Sequence, residues 1–369
     1  MYEKDERVVL TLDAGGTNFV FSAIKGNKLI TPPYQLPAIT NDIDRCLDNL
    51  INGFNHIIEQ IPVHPSAISF AFPGPADYKN GIIGDLPNFP AFRNGVAIGP
   101  FLKHFYNLPV FIENDGNLFA YGEALSGALP YVNDILQKNG NSFQFKNLIG
   151  ITLGTGFGAG VVIDKQLLNG DNNCGGDIWL MRNKKQNTYI AEESVSIRGI
   201  LRLYKNFSKE SNERKNPKEI YDIAEGRTNG NQNAAIKAFQ ELGEIAGCAI
   251  ANALNIVDGI VVIGGGLFGA DKYILPSIIQ ELNSTLTTFK GDKFPCTQMH
   301  IYNWENPIDR KNFLDDNKRD IIIPRTNKTI QYQSEKKTTI LKCRNETSHS
   351  IMLGAYAYAL ANMDNHYIS

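Results

Sequence analysis

No apolar run in the sequence approaches the roughly 18 residues that a membrane-spanning helix needs, which excludes a chain built around such helices. Charge of one sign is equally scarce. Lysine and arginine number 36 against 38 aspartates and glutamates, a net charge of -2, so the chain offers no generic electrostatic grip on nucleic acid or on an anionic membrane. Cysteine is sparse and scattered. Cys46, Cys174, Cys248, Cys296 and Cys343 are odd in number and no two stand in C-x-x-C spacing, which argues against a disulfide framework and a clustered cysteine metal site. The N-terminus lacks the apolar core and small-residue cleavage site of a secretory signal. Met1 to Arg7 is charged and runs straight into Val8-Val-Leu-Thr-Leu12. These absences lead to the expectation of a soluble, cytoplasmic α/β protein.

What the sequence does have is glycine at the ends of strand-like runs. Val8 to Leu12 leads into Asp13-Ala-Gly-Gly-Thr-Asn18 and then Phe19-Val-Phe-Ser-Ala-Ile24. Asn147 to Leu153 leads into Gly154-Thr-Gly-Phe-Gly-Ala-Gly160 and then Val161-Val-Ile163. Each reads as strand, tight glycine turn, strand. The two lie about 140 residues apart in a chain of 369, a length that suggests about two domains. This layout is read as one unit present twice.

Other elements alternate along the chain. Asp42 to Gln60 carries apolar residues at helical spacing, and Ala67 to Phe72 is a strand stopped by Pro73-Gly-Pro75. Val110-Phe-Ile112 is a short strand followed by a helix that opens at Asn114 or Asp115, either of which suits the N-cap. Ala238 to Ile256 reads as a long helix feeding the strand Gly259 to Ile263, the turn Gly264-Gly-Gly266 and a helix from Tyr273 to Leu286. Residues 300–345 are polar and irregular, and are expected to form an inserted hairpin or lid. Ser348 to Ala361 closes the chain as a helix packing back on the first domain.

Three constellations carry possible chemistry. In Asp13-x-Gly-Gly-Thr17, the glycines let backbone N–H groups approach an anion, Thr17 adds a donor, and Asp13 could hold Mg2+ through water. A plain hairpin needing positive φ would look the same. Gly154-Thr-Gly-Phe-Gly158 offers the same pair of readings, and one such hairpin per domain would clamp a polyphosphate in a cleft. Neither turn ends in the lysine of a P-loop, and neither matches G-x-G-x-x-G ahead of a helix. Asn114-Asp115 sits at a strand-to-helix junction. There Asp115 could accept a proton from a hydroxyl while Asn114 binds a neighbouring one, or the pair could be a helix cap alone. A helix N-terminus would lower the Asp115 pKa and make it a weak base, which phosphoryl transfer tolerates.

Together these pieces resemble the ROK family of sugar kinases, within the actin-like, ribonuclease H-like ATPase superfamily. The resemblance runs through Leu12-Asp-Ala-Gly-Gly-Thr17, Phe72-Pro-Gly-Pro75, Leu86-Pro-Asn-Phe-Pro90, Glu113-Asn-Asp-Gly-Asn117 and Leu153-Gly-Thr-Gly-Phe-Gly158. It continues through Gly170 to Asp177, Ile263-Gly-Gly-Gly266 and Leu353-Gly-Ala-Tyr-Ala357. It implies a two-domain α/β fold with a cleft between the domains: residues 1–113 plus the closing helix 348–369 in one, and 114–347 in the other. It also implies transfer of the ATP γ-phosphoryl group, as the Mg2+ complex, to a hexose hydroxyl by a cytoplasmic homodimer.

Asp115 matches the family's catalytic base, and Asn114 and Asn88 its sugar-side asparagines. Asp13, Gly15, Gly16 and Thr17 match the first phosphate loop, and Thr155, Gly156 and Gly158 the second. Gly265 and Gly266 lie where the adenosine end would rest. The departures are local. Where the family reads G-E-x-G-H, this chain has Gly176-Asp-Ile-Trp-Leu180, so Asp177 keeps a shorter carboxylate and Leu180 replaces the histidine. The cysteine-rich zinc segment that should follow is absent, so no zinc site is expected. Ala191-Glu192-x-x-x-Ser196 fits the context of a zinc-free branch and nominates Glu192 as a second sugar contact. The alternative is a catalytically idle sugar-binding or regulatory protein on the same scaffold.

Overall fold

The computed structural model describes residues 1–14, 18–74, 76–84, 89–209 and 215–366. Two compact units emerge: residues 1–130, 160–176 and 343–369 form unit 1, and residues 131–159 and 177–342 form unit 2.

Unit 1 starts with β1 (Val9–Ala14) and β2 (Asn18–Lys25), antiparallel with Thr11 opposite Ser22. The short strands β3 (Lys28–Leu29) and β4 (Tyr34–Pro37) also pair with β2. Helix α1 (Ile43–Ile58) begins where the Asp42 carboxylate accepts the Arg45 N–H at 3.2 Å. Its Cys46, Leu50, Phe54 and Ile57 fall on one buried face. Next come β5 (Ala67–Ala71), a small hairpin of β6 (Ala76–Asp77) and β7 (Ile82–Ile83), helix α2 (Ile98–Tyr106), β8 (Val110–Glu113) and helix α3 (Asp115–Ser126). The sheet order is β3-β2-β1-β5-β8, with β1, β5 and β8 parallel. Both faces are covered. Leu10, Leu12, Phe19 and Phe21 pack with α1, while Val9, Ile24 and Ala67 face the other way. That double burial is why these strands read as continuous apolar runs.

Helix α4 (Ala128–Lys138) leads to β9 (Leu148–Leu153), β10 (Phe157–Ile163) and β11 (Gln166–Leu167). Unit 2 then adds α5 (Ile197–Ser208), α6 (Pro217–Ala224), α7 (Gln232–Val257), β12 (Ile260–Gly264) and α8 (Asp271–Leu282). An exposed hairpin of β13 (Thr285–Thr287) and β14 (Lys293–Pro295) precedes β15 (His300–Asn303) and α9 (Pro307–Leu314). A second exposed hairpin, β16 (Arg319–Ile322) and β17 (Thr329–Tyr332), precedes β18 (Lys337–Lys342). The sheet order is β11-β10-β9-β12-β18-β15, and β9, β12, β18 and β15 are parallel.

The segment 300–345 is therefore not an insertion. β15 and β18 are core strands of this sheet, and only β16–β17 stands out from it. Short parallel strands such as Thr338-Thr-Ile-Leu341, each fully or nearly fully buried, carry too few residues to show a period against polar flanks.

The chain ends in α10 (Thr347–His366), which belongs to unit 1. Its Met352, Leu353, Tyr356, Ala359 and Leu360 close over Val9, Ile24 and Ala67. It also lies against α3, whose residues from Gly116 to Leu125 are all buried. This packing draws residues 114–130 into unit 1, beyond the boundary expected at residue 113. Gly354 sets the spacing of the two helices, because a Cβ there would overlap the Leu118 carbonyl oxygen. No helix of the described residues is long and apolar enough to cross a membrane.

Gly354→Ala tests that spacing. Helix propensity favours alanine by about 1 kcal/mol, but forcing a methyl into a backbone carbonyl costs about 1–3 kcal/mol and the carbonyl cannot rotate aside. The thermal midpoint of the full chain is expected to fall; a rise would show that α3 and α10 can separate at little cost.

Candidate functional site

In unit 1 the parallel strands end in a row. Asp13 of β1 is in register with Ala71 of β5, and Ala71 with Glu113 of β8. The C-terminal edge of such strands is where open α/β sheets place ligands. Asn114 follows β8 in extended conformation and caps α3, its Oδ1 accepting the Gly116 N–H at 2.8 Å. Its Nδ2 donates to the Tyr78 hydroxyl at 3.4 Å, and that hydroxyl donates to the Phe72 carbonyl at 3.1 Å. Asn114, not Asp115, is thus the cap, which leaves Asp115 as the first helical residue.

The Asp115 side chain is exposed to solvent, and its Oδ1 accepts the Gly116 N–H at 2.8 Å. Surrounding protein pushes its pKa above the ordinary carboxylate range, outweighing the downward pull of that amide. The direction is opposite to the lowering expected from a helix N-terminus. Asp13, half-buried, is also pushed up, first by burial and then by the negative charge of Asp115. Two carboxylates of unit 1 therefore repel each other across the end of the sheet.

One residue of this site was given no role from the sequence. Glu113 is 1% exposed and accepts the Asn114 N–H at 2.8 Å and the Asn117 Nδ2 at 3.1 Å on Oε1. Its Oε2 accepts the Asn169 Nδ2 at 2.8 Å, and the Tyr358 hydroxyl of α10 also bonds to the carboxyl. Four elements of unit 1 thereby meet at one acid. The available signal was a glutamate closing a buried strand, since a buried carboxylate needs partners. Burial raises the Glu113 pKa against the pull of its donors.

Unit 2 carries the second glycine turn. Gly154 N–H donates to the Gly156 carbonyl at 3.1 Å, and the Thr155 side chain is exposed. Gly158 lies in β10 just beyond the turn. The segment 191–199 stitches the turn in place. Ile197 N–H donates to the Gly154 carbonyl at 2.9 Å, and Phe157 N–H donates to Glu192 Oε2 at 3.0 Å. A Cβ on Gly156 would stand 2.5 Å from that same Oε2, so a side chain there would displace the Glu192 carboxylate. Arg198 binds Glu192 Oε1 at 2.7 Å and Glu193 Oε1 at 3.0 Å. The Ser196 hydroxyl donates to the Glu192 carbonyl at 2.7 Å and caps α5 by accepting the Gly199 N–H at 3.2 Å.

Beside this turn, Gly264 is in register with Thr152, which sets Gly265 and Gly266 at the same edge of the sheet. Gly265 has φ +96°, and a Cβ there would overlap the Leu153 carbonyl oxygen, so only glycine fits. Gly266 faces open space. Asp177 is exposed ahead of a 3-10 turn, Ile178–Leu180, and makes no capping bond; Leu180 is 51% exposed. Gly15, Gly16, Thr17 and Asn88 lie outside the described residues. Among the described residues, no three His, Cys, Asp or Glu side chains come together as a metal site.

The ROK family model matches residues 9–299. The chain belongs to the ROK family. It has the family's two-domain actin-like ATPase fold. A crystal structure of a glucokinase from Parabacteroides distasonis is 51% identical, with a TM-score of 0.87, covering 98% of this chain and 99% of that one. A glucokinase from Thermotoga maritima is 26% identical over 306 residues, 73% of this chain and 89% of its own length. A xylose repressor from Bacillus spizizenii is 28% identical over 268 residues, 70% of this chain. The match spans only 62% of that repressor's length. The ROK family thus includes sugar kinases and sugar-responsive repressors alike, and the fold does not choose between them.

The pH dependence of Glu113 tests its burial. A carboxyl whose pKa is raised by folding contributes most below the ordinary glutamate range, and that contribution falls as pH climbs through the range to the folded value. Glu113→Gln mimics the protonated shape and cannot titrate. Between about pH 4 and 7 the difference in thermal midpoint is expected to shift in favour of the Gln variant. A pH-independent difference would mean that Glu113 titrates alike folded and unfolded.

Proposed function

We propose that the protein is an ATP-dependent sugar kinase in which Asp115 takes the proton from the hexose hydroxyl that attacks the γ-phosphorus of ATP, giving a sugar phosphate and ADP. The observation that carries this reading is the Asp115 carboxylate itself. It is exposed at the strand-end edge of unit 1, has one local hydrogen bond, and is pushed up in pKa toward a more effective base. The 51% identity to a glucokinase over 98% of the chain makes glucose the first sugar to try.

The remaining roles follow from chemistry. Asn114 has its Oδ1 committed to the cap, so its Nδ2 is the group that can turn to a sugar hydroxyl. The family resemblance assigns Asn88 and Asp177 to the sugar as well. Glu192 is a sugar contact only with lone pairs left over from Phe157 and Arg198, which a carboxylate has. The Gly154–Gly158 turn, with the Thr155 hydroxyl, suits nucleotide phosphates, and Gly265 and Gly266 suit the adenosine end. Asp13 fits Mg2+, an ion that takes one or two carboxylates, waters and substrate phosphates rather than a protein cage. A Mg2+ held there would supply neutralising charge to the phosphates.

A second reading is a sugar-binding regulator without turnover. Leu180, exposed where the family has a histidine, and the match to xylose repressors favour it.

ATP consumption measured against hexoses, N-acetylhexosamines and ketohexoses separates the two. Turnover with glucose is expected, and Asp115→Asn should lower kcat by roughly 10²–10⁴-fold. Saturable sugar binding with no turnover would establish the regulator. Turnover that survives Asp115→Asn would remove the base assigned here.

A further inference from the structure

The parallel sheet of unit 2 has a second concave end. The glycine turns follow the C-terminal ends of β9 and β12, whereas a cavity of about 650 Å3 lies where β9, β12, β15 and β18 begin. It is lined by residues just ahead of each strand, among them Asn147, Asp258 and Met299, with Lys336 and Lys337 at the start of β18. Strands of four to six residues at about 3.3 Å per residue set it on the order of 15–20 Å from the turns. Its volume is that of a small-molecule site.

The walls are specific. Phe145 and Phe313 stack at 5.9 Å with 22° between their planes, and Phe143 meets Phe145 edge-on at 4.9 Å. Phe143 is 58% exposed, which leaves an aromatic face with nothing on it. Lys337 lies over the Phe313 ring at 5.9 Å and donates to the Asp315 and Asn312 carbonyls, at 2.5 and 3.4 Å. Of the acids nearby, Asp316 is taken by Lys318 at 2.6 Å and Glu335 by the Tyr302 hydroxyl at 2.6 Å. Burial pushes the Lys337 ammonium below its ordinary pKa, against the upward pull of Glu335, Asp316 and Asp315. Gln333 Oε1 is shielded from solvent and has no hydrogen-bond partner among the described residues. A second cavity, of about 590 Å3, is different in kind. It is lined chiefly by Lys184, Glu244, Glu281 and other polar groups, and Lys184 already pairs with both of those glutamates.

We propose that the cavity at the N-terminal ends of β9, β12, β15 and β18 is a second ligand site, which takes a small planar aromatic anion. The ring lies on Phe143, the anionic group meets Lys337 and Lys336, and a donor on the ligand reaches Gln333 Oε1. A flat ring supplies the stacking partner that Phe143 lacks, and an anion in a partly desolvated site gains more from an ammonium than it would in water. The site requires neither nucleotide nor sugar, so it stands whether or not the kinase reading does.

Calorimetric titration of the full chain with 2-naphthoate tests the site, with 2-naphthamide and cyclohexanecarboxylate as the uncharged and non-aromatic controls. One 2-naphthoate per chain is expected, bound at least about tenfold tighter than either control. Phe143→Ser and Lys337→Met should each weaken it by about fivefold or more, and Asp115→Asn should leave it unchanged. Should Lys337→Met fail to fold, Lys336→Glu at an exposed position takes its place. Absence of saturable binding, equal affinity for the amide, unchanged affinity in the Phe143 and lysine variants, or displacement by ATP would each overturn the proposal.

Discussion

A single buried carboxylate organises the chemistry-bearing end of unit 1. Glu113 ends β8, and its two oxygens collect an amide of the α3 cap, a side chain from the first turn of α3, the Asn169 side chain and the Tyr358 hydroxyl of α10. Ionised, it has about as many lone pairs as it has donors, which is the condition under which a charge can stay buried without a cation. The consequence passes to its neighbours in sequence. With the Asn114 N–H tied to Glu113 and the Asn114 Oδ1 tied to Gly116, the backbone that presents Asp115 has little freedom, while the Asp115 side chain itself is left open. Rigid support behind an exposed acid is what proton transfer in a defined geometry requires.

The division between what is held and what is open recurs in unit 2. Glu192 occupies the underside of the glycine turn through the Phe157 amide, and Arg198 balances its charge. The spacing Glu192-x-x-x-Ser196 thus has a local cause. Ser196 caps α5 and binds the Glu192 carbonyl, so the helix start and the turn support are one structure. By contrast Asp177, Trp179 and Leu180 sit on a short 3-10 turn with no side-chain cap. The departures from the family pattern fall there, just ahead of Met181, whose carbonyl accepts the Ala191 N–H at 2.7 Å.

Much of this was legible in the sequence, for reasons that differ by element. The two hairpins were readable because each opens with a buried apolar strand that runs into a glycine-rich stretch of sequence. α7 was readable because its length lets the helical period repeat. Asn114-Asp115 was readable as a junction, but which residue caps depended on φ and ψ at Asn114, a choice two adjacent capping residues leave open. The sign of the Asp115 shift was not readable, because desolvation by surrounding protein belongs to the folded chain and not to the local sequence. β15 and β18 were missed because four to six buried residues between polar stretches carry no period. The boundary at residue 113 failed because the packing of α3 on α10 joins residues more than 200 apart in sequence, through a glycine whose purpose appears only when the helices cross.

The parallel sheet of unit 2 has consequences at both ends. Parallel strands expose one row of chain reversals at their C-terminal ends and another at their N-terminal ends, and the two rows have different chemistry. At the first, glycine turns present backbone N–H groups, a surface suited to phosphates with few side chains. At the second, the chain enters the strands from longer connections, which here bring Phe143, Phe145 and Phe313 together with lysines. Phe145 and Phe313 are buried in the core, whereas Phe143 is largely exposed and the Lys337 ammonium lies over the Phe313 ring, held by the Asp315 and Asn312 carbonyls. Those contacts offset part of the cost of desolvating the ammonium. The ligand proposed for this end would add a ring against Phe143 and a negative charge beside Lys336 and Lys337.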